Sequence, residues 1–521
     1  MPSDLESIYD QLHDLDPANL ADDPLIECIG TLIDVSEDLD RGEGVARALE
    51  LCEVAAARTL SESNSALLQY FRANAWGVRQ VKATRTPSTT WNWEQPNMGK
   101  QILHLRRCVG HQGFLQLQDV RRCQVFTNLA NSLNTVGRFV EALDYWERAL
   151  EIRSRFGMAL GNLGCGLEEY ARSLSDPGHK VLFLKFAHTN LAAATGADAE
   201  YEGDCDSAKN FFKARMARIE KNVPRLNEIS LHPHSMGRSE AEQSYRSWCL
   251  RNRLFLNPLN DLGDLSIANN DVLMMPPFST PIGTPPVLIG FFNQIKQEFA
   301  SGRWFLYDGT NSPSVHFSDR KVLLYNSLDY PCHSLAVEKV KIAFRIAYSI
   351  FDKVAFFLNE YMHLAINQRD VYFKTLWYAN RRSKPFPVRS EFGNLDNWPF
   401  RGLFWLSKDL FDDEFAEVIE PDARDFYAIR NRLEHSYLKV QVEMLGPLAS
   451  REDDFWFDGL AYLIPRDELA SKTLRLFKLV RAALIYLMLG MHREESRHLQ
   501  GKDNSKSMPM ELPLLDDSWK Q

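Results

Sequence analysis

The stretch NLANSLNTVGRFVEALDYWERALEI, residues 128–152, indicates that the first part of the chain consists of paired α-helices. Small and aromatic residues follow one another along it: Gly137, Phe139, Ala142, Trp146 and Ala149. Small side chains let two antiparallel helices approach closely, and aromatic rings fill the space between one helix pair and the next. The stretch therefore predicts one such pair, packed against further pairs.

Parts of this pattern recur elsewhere in the chain. The triplet Asn128-Leu129-Ala130 returns as Asn162-Leu163-Gly164, an offset of 34 residues. The spacing of Ala142, Trp146 and Ala149 returns, less regularly, as Ala187-Leu191-Ala194 and as Ala48-Cys52-Ala55. The period resembles that of tetratricopeptide repeats. The resemblance implies a helical solenoid over residues 1–220 with a concave surface that binds a protein or peptide; an irregular helical bundle is the alternative.

Residues 221–330 differ in character from the helices before them. The segment MMPPFSTPIGTPPVLIG, residues 274–290, contains too many prolines for a regular helix. The runs RWFLYDG, 303–309, and KVLLYNS, 321–327, are rich in β-forming residues. We expect an irregular linking module with a few short strands there and a helix near residues 290–300. Its histidines His232 and His234 lack nearby acidic or thiol ligands, so we interpret them as loop residues.

Residues 331–498 are expected to be helical again, with 499–521 as a polar tail. SLAVEKVKIAFRIAYSIFDKVAFFLNEYM, 334–362, predicts one long helix because its apolar residues recur at helical spacing. The stripe consists of Ile342, Ile346 or Ala347, Ile350, Val354 and Phe357. Further helices are expected in VYFKTLWYANRRSKPFPVR (371–389, ending in a basic turn), in RGLFWLSKDLF (401–411), from 420 to 440 and from 467 to 490. The fold class is therefore mainly α.

The segment IRNRLEHSY, residues 429–437, combines an apolar stripe with Arg430, Asn431 and His435. A helix that starts at Glu420-Pro421-Asp422 would place Phe426, Ile429, Leu433, Tyr437 and Val440 on one face. Asn431 and His435 are four residues apart and stack on another side, and Arg430 borders the apolar stripe. A packed helix holds such groups more steadily than a loop does.

These residue types suit the cleavage of RNA. The ribose 2′-hydroxyl can attack its own phosphodiester if its proton is removed, the leaving 5′-oxygen is protonated and the charge on phosphorus is stabilised. Histidine suits proton transfer because its pKa lies near neutrality, and the planar guanidinium of arginine matches phosphate oxygens. One histidine cannot easily serve both sides of the phosphate, but a symmetric dimer would supply a second Arg and His.

The string Arg430-Asn431-x-x-x-His435 resembles the R-[polar]-x(3)-H motif of the HEPN superfamily, and the long helix with Asp352 before it fits the same domain. The resemblance covers residues 331–498 and is similar to a branch in which tetratricopeptide-like repeats precede the domain. It implies a helical bundle that dimerises and a metal-independent endoribonuclease without a cofactor, acting as a toxin or in antiphage defence. It also implies that Arg430 and His435 are catalytic, with Asn431 at the polar position. The RNA would be tRNA or another cellular or phage RNA.

Each of these residues also has a structural interpretation. Arg430 and His435 could form surface ion pairs with Glu434 or Asp425, and Asn431 could be plainly exposed. Asp352 could pair with Arg430, since buried charges need partners, or lie on the surface near Lys353. The basic run 381–384, with Trp377, Tyr378 and Phe386, could cradle RNA or be a solvated turn. Arg106-Arg107 and Arg121-Arg122 are interpreted as exposed charges.

The composition limits the remaining possibilities. The net charge is −9, with 60 basic and 69 acidic residues among 521, which argues against a uniformly basic nucleic-acid-binding surface. The eight cysteines are scattered without CxxC spacing, so neither zinc nor another metal is expected. The N-terminal residues do not resemble a signal peptide, and LVRAALIYLMLGM, 479–491, is too short to cross a bilayer. A cytoplasmic protein is expected; the alternative to an enzyme is a non-catalytic scaffold that binds protein or RNA.

Overall fold

The structure, a computed structural model, is mainly α-helical, with two short strands in the part that it describes. It describes residues 4–203, 205–281, 283–312, 314–327, 331–380, 386–411, 423–441, 461–500 and 510–520. The helices up to residue 251 are α1 (Asp4–His13), α2 (Asp22–Asp38), α3 (Gly42–Ala56), α4 (Glu62–Ala83), α5 (Pro87–Thr90), α6 (Pro96–Val109), α7 (Asp119–Thr135), α8 (Phe139–Ile152), α9 (Gly157–Ser173), α10 (Pro177–Thr195), α11 (Asp206–Asn222) and α12 (Glu240–Arg251). The mainly α fold class predicted from the sequence is confirmed.

The remaining elements form the C-terminal part of the molecule. They are α13 (Val287–Asn311), α14 (Leu335–Tyr361), α15 (Ser390–Gly393), α16 (Trp398–Phe411), α17 (Ala423–His435), β1 (Tyr437–Gln441), β2 (Ala461–Pro465) and α18 (Arg466–Gln500). β1 and β2 pair in parallel, with Tyr437 opposite Ala461. None of the described helices is long and apolar enough to cross a membrane.

Small residues in the N-terminal region lie where helices meet. Neighbouring helices pack side by side, α7 on α8 and α9 on α10. A Cβ added at Gly164 would lie 2.7 Å from Leu191 Cγ, and one added at Gly166 would lie 2.5 Å from the Trp146 ring. These glycines allow the close approach that the sequence pattern indicates. The helical content of residues 1–220 agrees with the sequence, and their assignment to tetratricopeptide repeats stays a prediction.

None of the short strands expected in residues 221–330 is present among the residues of this range that the structure describes. RWFLYDG lies inside α13, where Phe299, Arg303 and Leu306 are buried on one face. A short apolar run fits a buried helix as well as a strand, and packing of α13 against α14 selects the helix. Residues 321–327 are exposed and form no strand. His232 and His234 lie in an exposed loop, as expected.

The long helix α14 begins and ends close to its predicted limits. The Ser334 hydroxyl accepts a hydrogen bond from the backbone N–H of Val337 and caps it. Ala347, Ile350, Val354 and Phe357 are fully buried, whereas Ile342, at the beginning of the stripe, is 37% exposed. The helix predicted at 401–411 is confirmed as α16, and α18 extends past the predicted residue 490.

The prediction of a helix beginning at residue 371 was wrong. Residues 371–380 form turns, and Tyr378 forms an isolated antiparallel β-bridge with Val388. The Trp377 indole donates to the Phe373 carbonyl over 2.8 Å, and the ring is completely buried. The apolar residues of this run therefore fill the core from a loop, which a helical pattern does not reveal.

The helices of the N-terminal region pack directly on α16. Gly137 ends α7 with φ of 92°, and its carbonyl lies 2.2 Å from where a Cβ of Gly402 would be. Arg106 was expected to be an exposed charge, which is wrong: its side chain is 2% exposed and lies 3.0 Å from Asp409 of α16. Arg138 pairs with the same carboxylate. The approach of two glycines and a shared buried acid fix α16 against the N-terminal helices.

Candidate active site

The helix α17 is anchored to α14 by apolar contacts. Phe426 and Ile429 are buried, and the rings of Phe426 and Phe344 lie 6.2 Å apart. Arg345 of α14 donates a hydrogen bond to the Leu433 carbonyl near the end of α17. Helix α17 ends at His435, so the continuous stripe expected through Tyr437 and Val440 was wrong. Those two residues belong to β1, which pairs with β2 instead of continuing the helix.

Arg430 is half-buried at the contact between α17 and α14. Its guanidinium carbon lies 5.9 Å from the centre of the Tyr348 ring, and its Nη1 donates to the Asn431 side-chain oxygen over 3.2 Å. The described carboxylates form no ion pair with it. A guanidinium held by a ring and an amide keeps its positive charge for an anion.

Asp352 lies one helical turn beyond Tyr348 on α14. It accepts a hydrogen bond of 3.0 Å from the backbone N–H of Phe373. Burial raises the pKa of Asp352, and that hydrogen bond and the nearby Arg430 charge oppose the increase. Asp352 therefore acts on Arg430 through space, without a direct ion pair in the described structure.

The two acids that could have formed ion pairs with the motif residues have other partners. Glu434 lies 3.2 Å from Arg345, and Asp425 lies 2.6 Å from Lys472. The Tyr462 hydroxyl also donates to Asp425. The ion-pair interpretation of Arg430 and His435 therefore finds no support in the side-chain contacts of Glu434 or Asp425.

His435 is the last residue of α17 and is exposed to solvent. Within the described ranges its imidazole makes no hydrogen bond or ion pair. Asn431 precedes it by four residues on the same side of the helix, whereas Arg430 lies about 140° around the axis from His435. One copy therefore presents Asn431 and His435 together, and Arg430 faces α14 at the edge of that surface.

The other sequence features considered for a site are the basic run 381–384, Trp377 and the cysteines. The basic run 381–384 lies outside the described residues. Trp377 packs against Phe392 at 4.9 Å with its ring buried, so it is not available to stack on a base. All eight cysteines are free thiols, and the described residues contain no group of His, Cys, Asp and Glu suited to a metal ion.

The comparison with protein families identifies the C-terminal part. Residues 279–494 match the family described as LA2681-like HEPN. The chain carries an LA2681-like HEPN domain. HEPN domains are generally associated with ribonucleases and often dimerise. No curated protein and no solved structure matches the chain.

The HEPN match starts before the boundary that the sequence indicates. It begins at residue 279 and thus includes α13, which lies in the linking module predicted from the sequence. The motif residues Arg430, Asn431 and His435 all lie within the match. Tyr348, the ring beneath Arg430, was missed from the sequence. Its signal was the spacing of Arg345, Tyr348 and Asp352, three polar residues that recur at steps of three and four on the same helix.

Replacing Asp352 tests whether it acts on Arg430. In Asp352→Asn the amide oxygen can still accept from Phe373, and the cost of burying a carboxylate disappears. Because burial raises the pKa of Asp352, its ionised form destabilises the fold as pH rises above the unfolded value. We expect an unchanged or higher melting temperature at pH 7, and about tenfold slower catalysis, roughly 1.4 kcal/mol in the barrier, of any reaction that uses Arg430. A less stable protein with full activity would contradict this role.

Proposed function

We propose that the protein is a metal-independent RNA endonuclease, a HEPN effector of the toxin or antiphage-defence type. Arg430 and His435 are its catalytic residues, and Asn431 is a positioning residue. One observation supports this most directly. A single anchored helix of a HEPN domain carries both an exposed imidazole and a guanidinium held over the Tyr348 ring.

The residues divide the chemistry between them. The imidazole of His435 takes the 2′-hydroxyl proton or protonates the leaving 5′-oxygen. The guanidinium of Arg430 stabilises the negative charge that develops on the phosphate oxygens. The 2′-oxygen forms a bond to phosphorus, the bond to the 5′-oxygen breaks, and a 2′,3′-cyclic phosphate and a free 5′-hydroxyl result.

The experiment that tests this proposal is incubation of the purified chain with total tRNA in EDTA. Fragments with 2′,3′-cyclic phosphate ends that form despite chelation support it. Expression in cells, with growth as the readout, tests an enzyme that needs a cellular trigger. Tight RNA binding without cleavage and without toxicity would instead favour a scaffold that holds RNA or protein.

We further propose that the complete site forms across a homodimer, because Arg430 and His435 of one copy lie on different sides of α17. Heterodimers of wild-type chain with an Arg430→Ala/His435→Ala chain, isolated through two affinity tags, test this. We expect less than about a tenth of wild-type activity, since the cleft shared by the two copies would lose one Arg and one His. Half of the wild-type activity would show that each copy works alone.

We also propose that the N-terminal helices are a sensor or partner-binding region. They pack on α16, and α17 follows α16 in the chain. A ligand bound to these helices can therefore act on the helix that carries Arg430 and His435. We place the protein in the cytoplasm, where its RNA substrates are.

A further inference from the structure

A cavity of about 520 Å³ opens between α3, α4 and α6, far along the chain from the HEPN motif. Its lining contains both acidic and basic side chains. Glu50 and Glu53 come from α3, Arg79 from α4 and Lys100 from α6. Leu49 and Leu103 add apolar surface.

The acids of this cavity are already neutralised. Glu53 lies 2.9 Å from Arg72, whose side chain is only 12% exposed, and Glu50 lies 3.0 Å from Arg47. The charges of the two cations, Arg79 and Lys100, are not neutralised in this way. In the part of the chain that the structure describes, neither Arg79 nor Lys100 forms an ion pair with a carboxylate.

A tryptophan holds these two cations in place. The Lys100 ammonium lies 3.9 Å from the centre of the Trp76 ring, and the Arg79 guanidinium lies 5.0 Å from it. Contact with a ring orders a cation without cancelling its charge. The cavity therefore contains two ordered positive charges whose natural partner is an anion.

His104 also lines this cavity. Its Nδ1 lies 2.8 Å from the Gln69 side-chain oxygen, and the ring is buried at the wall of the cavity. Burial and the charges of Arg107, Arg72 and Lys100 lower the pKa of His104 to about 3. The imidazole is thus neutral at pH 7.

We propose that this cavity binds a nucleotide, with its phosphate on Arg79 and Lys100. A guanidinium and an ammonium match phosphate oxygens, and Leu49 and Leu103 contact the base. The exposed oxygens of Glu50 and Glu53 accept from ribose hydroxyls. The volume is that of a small-ligand site rather than of an extended peptide groove. The nucleotide is either free or the 5′ end of an RNA.

Calorimetric titration of the full chain in EDTA with AMP, GMP, CMP and UMP tests this. At least one should bind with Kd below about 1 mM, and adenosine and inorganic phosphate should each bind at least tenfold more weakly than that nucleotide. A 5′-phosphorylated, 2′-O-methylated hexanucleotide distinguishes the two sources: it binds more tightly than the monomer if the ligand is an RNA end.

Variants locate the binding. Arg79→Gln/Lys100→Gln should raise Kd at least tenfold, whereas Lys209→Gln, which removes a lysine 4.9 Å from the Tyr201 ring, should leave Kd unchanged. Arg430→Ala should also leave it unchanged, so failure of the ribonuclease proposal is a separate result. Absence of nucleotide binding, binding that survives the double substitution, or binding lost in Arg430→Ala would overturn the assignment.

Discussion

Replacing His435 with alanine is expected to lower RNA cleavage at least about a thousandfold, within the range for loss of an acid–base or charge-stabilising group. The imidazole is exposed and makes no described side-chain contact, so its removal leaves the packing of α17 intact. The melting temperature should stay within about 2 °C of wild type, since substitutions at exposed sites change stability little. Toxicity in cells should disappear together with cleavage.

Arg430→Ala is expected to reduce activity to a similar extent. Its loss also removes the contact with the Tyr348 ring, so a moderate decrease in stability accompanies it. Arg430→Lys separates the two effects: the charge remains, but the planar fork that matches phosphate is absent, and most activity should still be lost.

Arg432→Ala is the control for both substitutions. This arginine is on the same helix, and its Nη1 donates to the exposed Ser436 hydroxyl. It should retain cleavage near the wild-type rate. Cleavage retained in both His435→Ala and Arg430→Ala would contradict the assignment of the active site.

The second large effect is expected from Asp409 of α16. This acid is 1% exposed and lies between Arg106 of α6 and Arg138 at the start of α8. In Asp409→Asn two buried guanidinium groups lose their shared carboxylate, although Arg138 keeps Glu141. Breaking a buried pair in this way costs about 3–5 kcal/mol. Urea unfolding followed by circular dichroism measures the decrease in the free energy of unfolding.

Asp40→Asn is a matched control for Asp409→Asn. Asp40 is exposed and is likewise shared by two cations, Lys82 at 3.0 Å and Arg85 at 2.6 Å. Water solvates its partners when the charge is removed, so stability should hardly change. Equal effects of the two substitutions would show that burial of Asp409 does not matter.

Helical periodicity alone predicted the elements that are long and packed on one side. The stripe of α14 is an example, because each buried position repeats every three or four residues. RWFLYDG was too short to distinguish strand from helix, and only its neighbours on α14 select the helix. Residues 371–380 were mispredicted for another reason: Phe373 and Trp377 are buried by contacts with distant segments.

The sequence could indicate only those residues of the candidate site that lie close to one another in the chain. The motif from Arg430 to His435 could be recognised from its spacing because all of its members lie on one helix. Tyr348 is 82 residues before Arg430 in the sequence, and nothing local connects them. The same limit applies to Arg106, whose partner Asp409 is on another part of the chain. An arginine beside another arginine usually lies on the surface, and burial here depends on tertiary contact.

Attack by the ribose 2′-hydroxyl is the central claim, and one measurement tests it most directly. After the main cleavage site in a tRNA has been mapped, the wild-type protein in EDTA is given the same RNA with a single 2′-deoxy nucleotide on the 5′ side of that site. We predict that cleavage at this phosphodiester disappears while minor sites are cut as before. Cleavage there at the original rate would contradict the account.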